Sequence, residues 1–499
     1  YTRYQKELAG DDIGAYLTFD TEEGEQVEVQ MGVSFVSMEN ARLNLDTEQQ
    51  GKNFGQVLEE ARRRWNDDLS RILVEGGTEE QKTVFYTALY HTLIHPNILQ
   101  DVNGEYPAME SDKILTTQGD RYTVFSLWDT YRNVHQLLTL VYPERQLQMV
   151  RSMLDMYREH GWLPKWELYG RETLTMEGDP SIPVIVDTWL KGLRDFDIEL
   201  AYEAMRKGAT LPGAENLLRP DNDDYVSLGY VPLREQYDNS VSHALEYYIA
   251  DNALSRIAAA LGKKEDARLF HERSLGYKHY YCKEYGTFRP ILPNGEFYAF
   301  FDPRQGENFE PNPGFHEGCA WNYTFYVPHD VKGLARLMGG KKPFVDKLQR
   351  VFDEGLYDPA NEPDIAYAHL FSYFKGEEWR TQKELHRLLQ KYFKNAPDGI
   401  PGNDDTGTMS AWAIFNMMGF YPDCPGEPAY TLSTPVFDKV TIKLDPKYWG
   451  RDQLVIETER PSAESLYIRE MELGGKKLSR YRITHEELVQ SGKLRFSLR

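Results

Sequence analysis

Gly399-Ile400-Pro401-Gly402-Asn403-Asp404-Asp405-Thr406-Gly407-Thr408-Met409-Ser410-Ala411-Trp412 sets two adjacent carboxylates between glycines and then opens a helix. Gly402 and Gly407 permit turn conformations closed to other residues, and Met409-Ser410-Ala411-Trp412-Ala413-Ile414-Phe415 has the composition of a buried helix start. The stretch is also a seam. Upstream of it, from about Thr78 to Gly419, apolar residues recur at helical spacing; beyond Pro422 the period falls to two. Taken alone, the acid pair reads most simply as a solvated turn with Asp405 capping the helix. The segments around it change that reading.

Helices are predicted near 79–95, 124–142, 144–160, 181–192, 196–207, 240–261, 263–280, 319–338, 341–355, 363–374, 377–394 and 407–419, with no strand-helix alternation. Helix following helix at this length means a superhelical repeat or a closed α/α toroid. No fixed sequence period is present, which favours the toroid, with apolar inner helices and charged outer ones such as Glu377-Glu378-Trp379-Arg380-Thr381-Gln382-Lys383-Glu384. After it, Ala429–Leu432, Lys439–Leu444, Leu454–Ile456, Tyr467–Ile468 and Leu494–Phe496 alternate as strands of a small β-domain over 421–499. Ahead of it, Phe54 to about Val74 carries an apolar stripe at Val57, Leu58, Ala61, Trp65 and Leu69, so 51–77 reads as a helical linker. Residues 1–50 alternate over Ala15–Asp20 and Val27–Ser37. Two or three strands make no independent domain, so these are expected to be the C-terminal strands of a β-domain whose remainder lies outside this sequence.

The 499 residues are 41% hydrophobic and 27% charged, a composition that buries a sizeable core. A net charge of −21 argues against nucleic acid or an anionic membrane as partner and suits neutral or cationic ligands and divalent metals. No apolar run reaches the roughly 18 residues that a membrane span needs. Cys282, Cys319 and Cys424 have neither disulfide nor metal-ligand spacing and read as buried fillers. The His-Glu pairs at 271, 316 and 485 lack the second histidine of a zinc-protease motif, and no phosphate loop, dinucleotide motif or nucleophile elbow occurs. Asp221-Asn222-Asp223-Asp224 starts like a calcium loop, but Tyr225 and Ser227 break the ligand pattern, so it reads as a solvated turn.

In chain order, Tyr90-His91-Thr92-Leu93, Asp101-Val102-Asn103-Gly104-Glu105-Tyr106, Ser126-Leu127-Trp128-Asp129-Thr130-Tyr131-Arg132, Gly161-Trp162-Leu163-Pro164-Lys165-Trp166, Glu317-Gly318-Cys319-Ala320-Trp321, Val327-Pro328-His329-Asp330, Asn361-Glu362-Pro363 and Gly402 to Trp412 resemble glycoside hydrolase family 92. These are the calcium-dependent, inverting, exo-acting α-mannosidases. The resemblance runs from about residue 10 to 445. It implies a β-sandwich joined by a helical linker to an (α/α)6 toroid, here with most of the sandwich absent, and an extracytoplasmic location. The implied substrate is a mannose-containing oligosaccharide or glycoprotein glycan.

Inverting hydrolysis pairs an acid that protonates the leaving oxygen with a base that activates water on the opposite face of the sugar. By resemblance Glu317 is the acid and Asp405 the base, with Asp404 the alternative base that chemistry alone does not separate from its neighbour. The implied cofactor is Ca2+, bound by Asn361 and Glu362, with Asp404 a possible further ligand; Pro363 restricts Glu362 to an extended conformation suited to a loop ligand. Asp129 and Arg132, three apart, are expected to share one helix face and form a fork for sugar hydroxyls beside Trp128, or else a plain ion pair. Trp162, Lys165 and Trp166, followed by Glu172 and Asp179, look like another rim of the pocket. Members that cleave α-1,2 bonds tend to carry His-Glu where this chain has Pro359-Ala360, so a different linkage is expected. The alternatives are a calcium-dependent carbohydrate-binding protein without hydrolysis and another (α/α)6 glycosidase.

Overall fold

A computed structural model describes residues 9–234, 239–306 and 312–499. The helices of the central region arrange as six pairs. Inner members are Val134–Val141, Ser181–Leu190, Ser240–Ala260, Ala320–Tyr323 with Val331–Leu337, the 3-10 segment Tyr367–Tyr373, and Thr408–Met418. Every residue of Val134–Val141 and of Thr408–Met418 is buried, which is why these sequences show no polar face. Outer members are Glu79–His91, Pro143–His160, Ile198–Thr210, Lys264–Ser274, Lys341–Asp353 and Glu378–Tyr392, which keep one apolar stripe and expose the other face. The ring closes where the last helix meets the first: Thr408–Met418 packs along Glu79–His91. A Cβ on Gly407, whose φ is +95°, would come within 3.0 Å of Thr92 Cα, so only glycine fits this seam. Helix forms within each of the dozen expected windows, but 124–142 opens as strand Phe125–Ser126 and splits into Leu127–Thr130 and Val134–Val141, 319–338 is broken into short pieces, and 363–374 is wound as 3-10 helix.

The β-domain is a six-stranded sheet in the order Ile72–Glu75, Lys439–Lys443, Gln453–Glu459, Lys493–Leu498, Ile468–Leu473, Lys476–Leu478. Val440, Ile456 and Leu494 stand in register and all face the core. Three-stranded pairing of Phe420–Tyr421, Ala429–Leu432 and Arg482–Thr484 ties this domain to the end of the last inner helix. The linker differs from expectation at its end. Its helix stops at Leu69, and Ile72–Glu75 leaves to become an edge strand of the distant sheet, pairing with Lys439–Ile442. An Ile-Leu-Val run has high β propensity and finds an open strand edge there.

The N-terminal expectation is corrected. Among the described residues, 9–37 carry no strand and Met38–Gln49 is a helix, capped by Ser37. The alternating side chains, including Tyr16, Leu17, Met31 and Val33, are exposed, and an alternating pattern becomes a strand only when a partner edge accepts its hydrogen bonds. Residues 1–8, part of the same expectation, lie outside the described residues. Asp101 fastens the segment to the toroid: its carboxylate accepts from Ser34 Oγ (2.6 Å), Asn40 Nδ2 (2.8 Å) and Asn44 Nδ2 (2.6 Å).

Candidate active site

Three loops at one end of the toroid bring acidic side chains together. The loop before Ala320–Tyr323 carries Glu317, the loop before Tyr367–Tyr373 carries Asn361 and Glu362, and the loop before Thr408–Met418 carries Asp404 and Asp405. Glu317 and Asp405 each hold φ of +47°, a left-handed conformation that costs a non-glycine residue about 1 kcal/mol or more. The loops are stitched to one another. Asn361 Nδ2 donates to the Glu317 carbonyl at 2.6 Å while its Oδ1 accepts from Glu362 N at 3.0 Å. Around the acid, Tyr323 OH donates to His316 O at 2.5 Å, and His316 N donates to Ser242 Oγ at 2.9 Å.

Asp404 and Asp405 have separate jobs. Asp404 Oδ1 accepts from Ser410 N at 3.0 Å and Ser410 Oγ at 2.6 Å, the geometry of a carboxylate seated on a helix N-terminus, and His91 Nδ1 lies 3.8 Å from its other oxygen. Asp405 instead reaches the carboxyl of Glu362. Burial raises Asp405 above the usual carboxylate range, with Glu362 partly opposing. Burial also raises Glu317; nearby His316 opposes this and Asp405 adds to it. Asp129 is pushed up to about 8, by burial first and then by the Asp405 charge. Glu362 is raised well above the usual carboxylate range, by burial and by repulsion from Asp129 and Asp405. Four carboxyl groups therefore feel one another inside the protein, with Arg132 the cation that appears among the influences on two of them.

That arrangement tests whether a cation fits. The Glu362 carboxylate is buried, its Oε1 has no hydrogen-bond partner, and it lies against another carboxyl. Among the described residues no three His, Cys, Asp or Glu side chains cluster as a metal cage. The donors on offer are hard oxygens of carboxylate, amide and backbone, a set that suits a Ca2+ ion sharing its shell with ligand or water and not a zinc-type site.

The expected fork is corrected. Helix Leu127–Thr130 is a single turn, so Asp129 and Arg132 do not share a helix face. Arg132 is instead fully engaged elsewhere: Nη2 donates to Glu246 Oε1 (3.2 Å), Nη1 to Tyr326 OH (2.7 Å) and to the Glu362 carbonyl (3.4 Å), and Nε to the Trp128 carbonyl (3.0 Å). Its role is to hold the Glu362 loop. Asp129 accepts from Ser126 Oγ and Trp128 is buried under the Arg132 guanidinium, 4.8 Å from the ring centre. Asp179 is corrected as well. Both its oxygens are taken by Arg219, at 2.8 and 3.1 Å, in a fully buried bidentate pair that leaves nothing for a sugar. Glu172 accepts from the backbone N–H groups of Lys165, Trp166 and Leu174 and so shapes a loop. Trp166 belongs to a strand paired with Ser126, Lys165 is buried with Nζ 3.4 Å from Met176 O, and Trp162 lies beneath Lys207, 4.3 Å from its Nζ. The Asp221 turn is not solvated throughout: Asn222 is buried and Asp221 pairs with His243 at 2.7 Å.

Sequence reasoning missed Glu177, His243 and Glu246. Glu246 carries a signal, a lone acid in the apolar run Ala244-Leu245-Glu246-Tyr247-Tyr248; burial pushes it up to about 8 against the pull of Arg132. The other two look like ordinary polar residues until the fold sets Glu177 against His316, the neighbour of Glu317, and His243 against Glu177.

A toroid of six helix pairs whose loops gather unbalanced carboxylates at one mouth has the paired acids that glycoside hydrolysis requires. The model for the glycosyl hydrolase family 92 catalytic domain matches residues 40–499, and the chain belongs to that family. It is similar to two solved structures from Bacteroides thetaiotaomicron. One is the family GH92 α-mannosidase BT3965 with mannoimidazole, at 31% identity and a TM-score of 0.87 over 93% of this chain and 62% of that one. The other is the GH92 inverting mannosidase BT2199, at 32% and 0.85 over 93% of this chain and 65% of that one. Among curated proteins it is 28% identical, over 97% of its length and 62% of the relative, to an "Uncharacterized secreted glycosidase" of Arthroderma benhamiae. The chain thus spans less than two thirds of these relatives' lengths.

Proposed function

We propose that this chain carries the catalytic centre of an exo-acting α-mannosidase that inverts configuration and uses Ca2+. The observation that carries the reading is the pairing of Glu317 and Asp405. They sit on separate loops, both on strained left-handed backbone, within one another's electrostatic reach. Glu317, whose pKa burial raises, gives its proton to the leaving glycosidic oxygen. Asp405 takes the proton of the water that attacks from the other face, and its contact with Glu362 aims it. Asp404, anchored on Ser410, fixes the loop that presents Asp405. Asn361 and Glu362 would hold the Ca2+ ion, which when bound supplies Lewis acidity to sugar hydroxyls.

The substrate would be a non-reducing terminal α-mannose on an oligosaccharide or glycoprotein glycan. Pro359 and Ala360 offer no acid or imidazole beside the Asn361 loop, so the favoured linkage is not α-1,2. A location outside the cytoplasm follows from the relative named as secreted, and no helix among the described residues is long and apolar enough to cross a membrane. The test is incubation with a panel of α-linked mannobioses, with and without a chelator. Mannose release that stops on chelation and returns with Ca2+ is expected. No release from any linkage would overturn the assignment, and release indifferent to exhaustive chelation would remove Asn361 and Glu362 as metal ligands.

A further inference from the structure

Behind Glu317 runs a chain of charged groups that the mechanism above does not use. It begins at the surface with Asp221, whose Oδ2 lies 2.7 Å from His243 Nδ1. The other ring nitrogen of His243 pairs with Glu177 Oε2. Glu177 Oε1 is 3.1 Å from His316 Nδ1 and also accepts from Asn239 Nδ2 at 2.9 Å. The second nitrogen of His316, Nε2, is 3.8 Å from Glu317 Oε1 and 3.1 Å from Met176 Sδ. Glu177 is 2% exposed, so this carboxylate lies in the interior with imidazoles on both sides.

The chemistry of each link has a direction. A buried carboxylate needs partners, and Glu177 finds them in His243 and Asn239, with the His316 ring 3.1 Å away. His243 is pushed up to about 10: burial opposes its charge, but Glu177 and Asp221 more than offset it. The same ion pair lowers Glu177 against the effect of burial, so it stays an acceptor. Glu177 Oε1 and Asn239 Nδ2, 3.1 and 3.0 Å from His316 Nδ1, hold that edge of the ring and turn Nε2 toward the acid. The edge of Trp128, at 86° to the imidazole and 5.8 Å between centres, limits rotation of the ring. His316 is further fixed through its backbone by Ser242 and Tyr323. The 3.8 Å gap to Glu317 is of the kind that tightens when substrate fills a site.

We propose that Glu177 is a positioning residue for the proton-donating acid: clamped by His243, it orients His316 so that Nε2 faces Glu317 and holds its carboxyl toward the leaving oxygen. The proposal rests on the reading of Glu317 as the acid. It assigns work to three residues outside the carboxylate cluster and explains why a histidine directly precedes the acid in this chain.

The test compares a mannobiose that the full chain cleaves with an activated aryl α-mannoside, whose leaving group needs little protonation. Glu177→Gln is expected to lower kcat on the mannobiose about tenfold to a hundredfold while changing the aryl substrate little, because only the first needs a well-aimed acid. His316→Asn, which keeps an amide donor toward Glu177 and leaves its pair with His243 intact, gives the same split even where Glu177→Gln folds poorly. Glu317→Gln is run alongside. Parallel loss on both substrates in His316→Asn, or no loss on either, overturns the proposal if Glu317→Gln still discriminates between them. If Glu317→Gln does not discriminate, the acid assignment has failed and the proposal falls with it.

Discussion

Two groups of buried acids lie a short way apart in the toroid, and their charges are balanced in opposite ways. In the first, Asp179 and Asp251 meet Arg219 and Arg273 at 2.8 to 2.9 Å, two carboxylates against two guanidiniums. Burial opposes the Arg219 charge, but Asp179 and Asp251 hold it firmly protonated. In the second, four carboxyls, Asp129, Glu317, Glu362 and Asp405, act on one another, and the guanidinium among them, Arg132, acts on Asp129 and Glu362 and is itself engaged by Glu246. Desolvation penalises both groups alike, so the difference is compensation. A compensated cluster is architecture. An uncompensated one keeps protons or recruits a cation, and that is what acid catalysis and hard-metal binding require.

Substitution can break this contrast from either side. The largest effect is expected in the uncompensated cluster. Glu317→Gln and Asp405→Asn should each cut hydrolysis of a mannobiose by roughly 10²- to 10⁴-fold, yet leave the urea unfolding midpoint unchanged or higher, since each replaces a carboxyl whose ionised form burial penalises. A fall in stability matching the fall in activity would move these residues into the structural class. Next comes Arg219→Ala, which strands Asp179 in the interior and leaves Asp251 with only the Arg273 guanidinium. A loss of about 3–5 kcal/mol in unfolding free energy is expected, read from urea titration; a loss below about 1 kcal/mol would show that the network is dispensable. The smallest effect concerns the neighbour of the base. Asp404→Asn keeps the acceptor for Ser410 and should cost less than about 1 kcal/mol of stability while retaining much of the turnover. If it abolishes turnover and Asp405→Asn does not, the two roles are exchanged.

The sequence made the helical ring legible because burial on all sides leaves a run such as Met409–Phe415 without polar interruption, and the outer helices keep their stripes. Both carboxylate loops were legible through their glycines and the helix each precedes. What stayed hidden depended on partners far along the chain. The fork drawn from Asp129 and Arg132 assumed a continuous helix, whereas the turn ends at Thr130 and Arg132 finds Glu246 instead. Asp179 looked like a pocket rim because its partner Arg219 is invisible until the fold forms. Residues 15–37 alternate convincingly, yet alternation states which faces differ, not whether a neighbouring strand is present to pair.

Whether Glu317 and Asp405 work as acid and water-activating base is decided by the anomeric configuration of the first mannose released. Proton NMR during the opening minutes of hydrolysis of an α-linked mannoside should show β-mannose appearing first, with the α-anomer growing only as mutarotation proceeds. α-Mannose appearing first would mean that a carboxylate attacks the sugar itself, and the roles given to Glu317 and Asp405 would fail together.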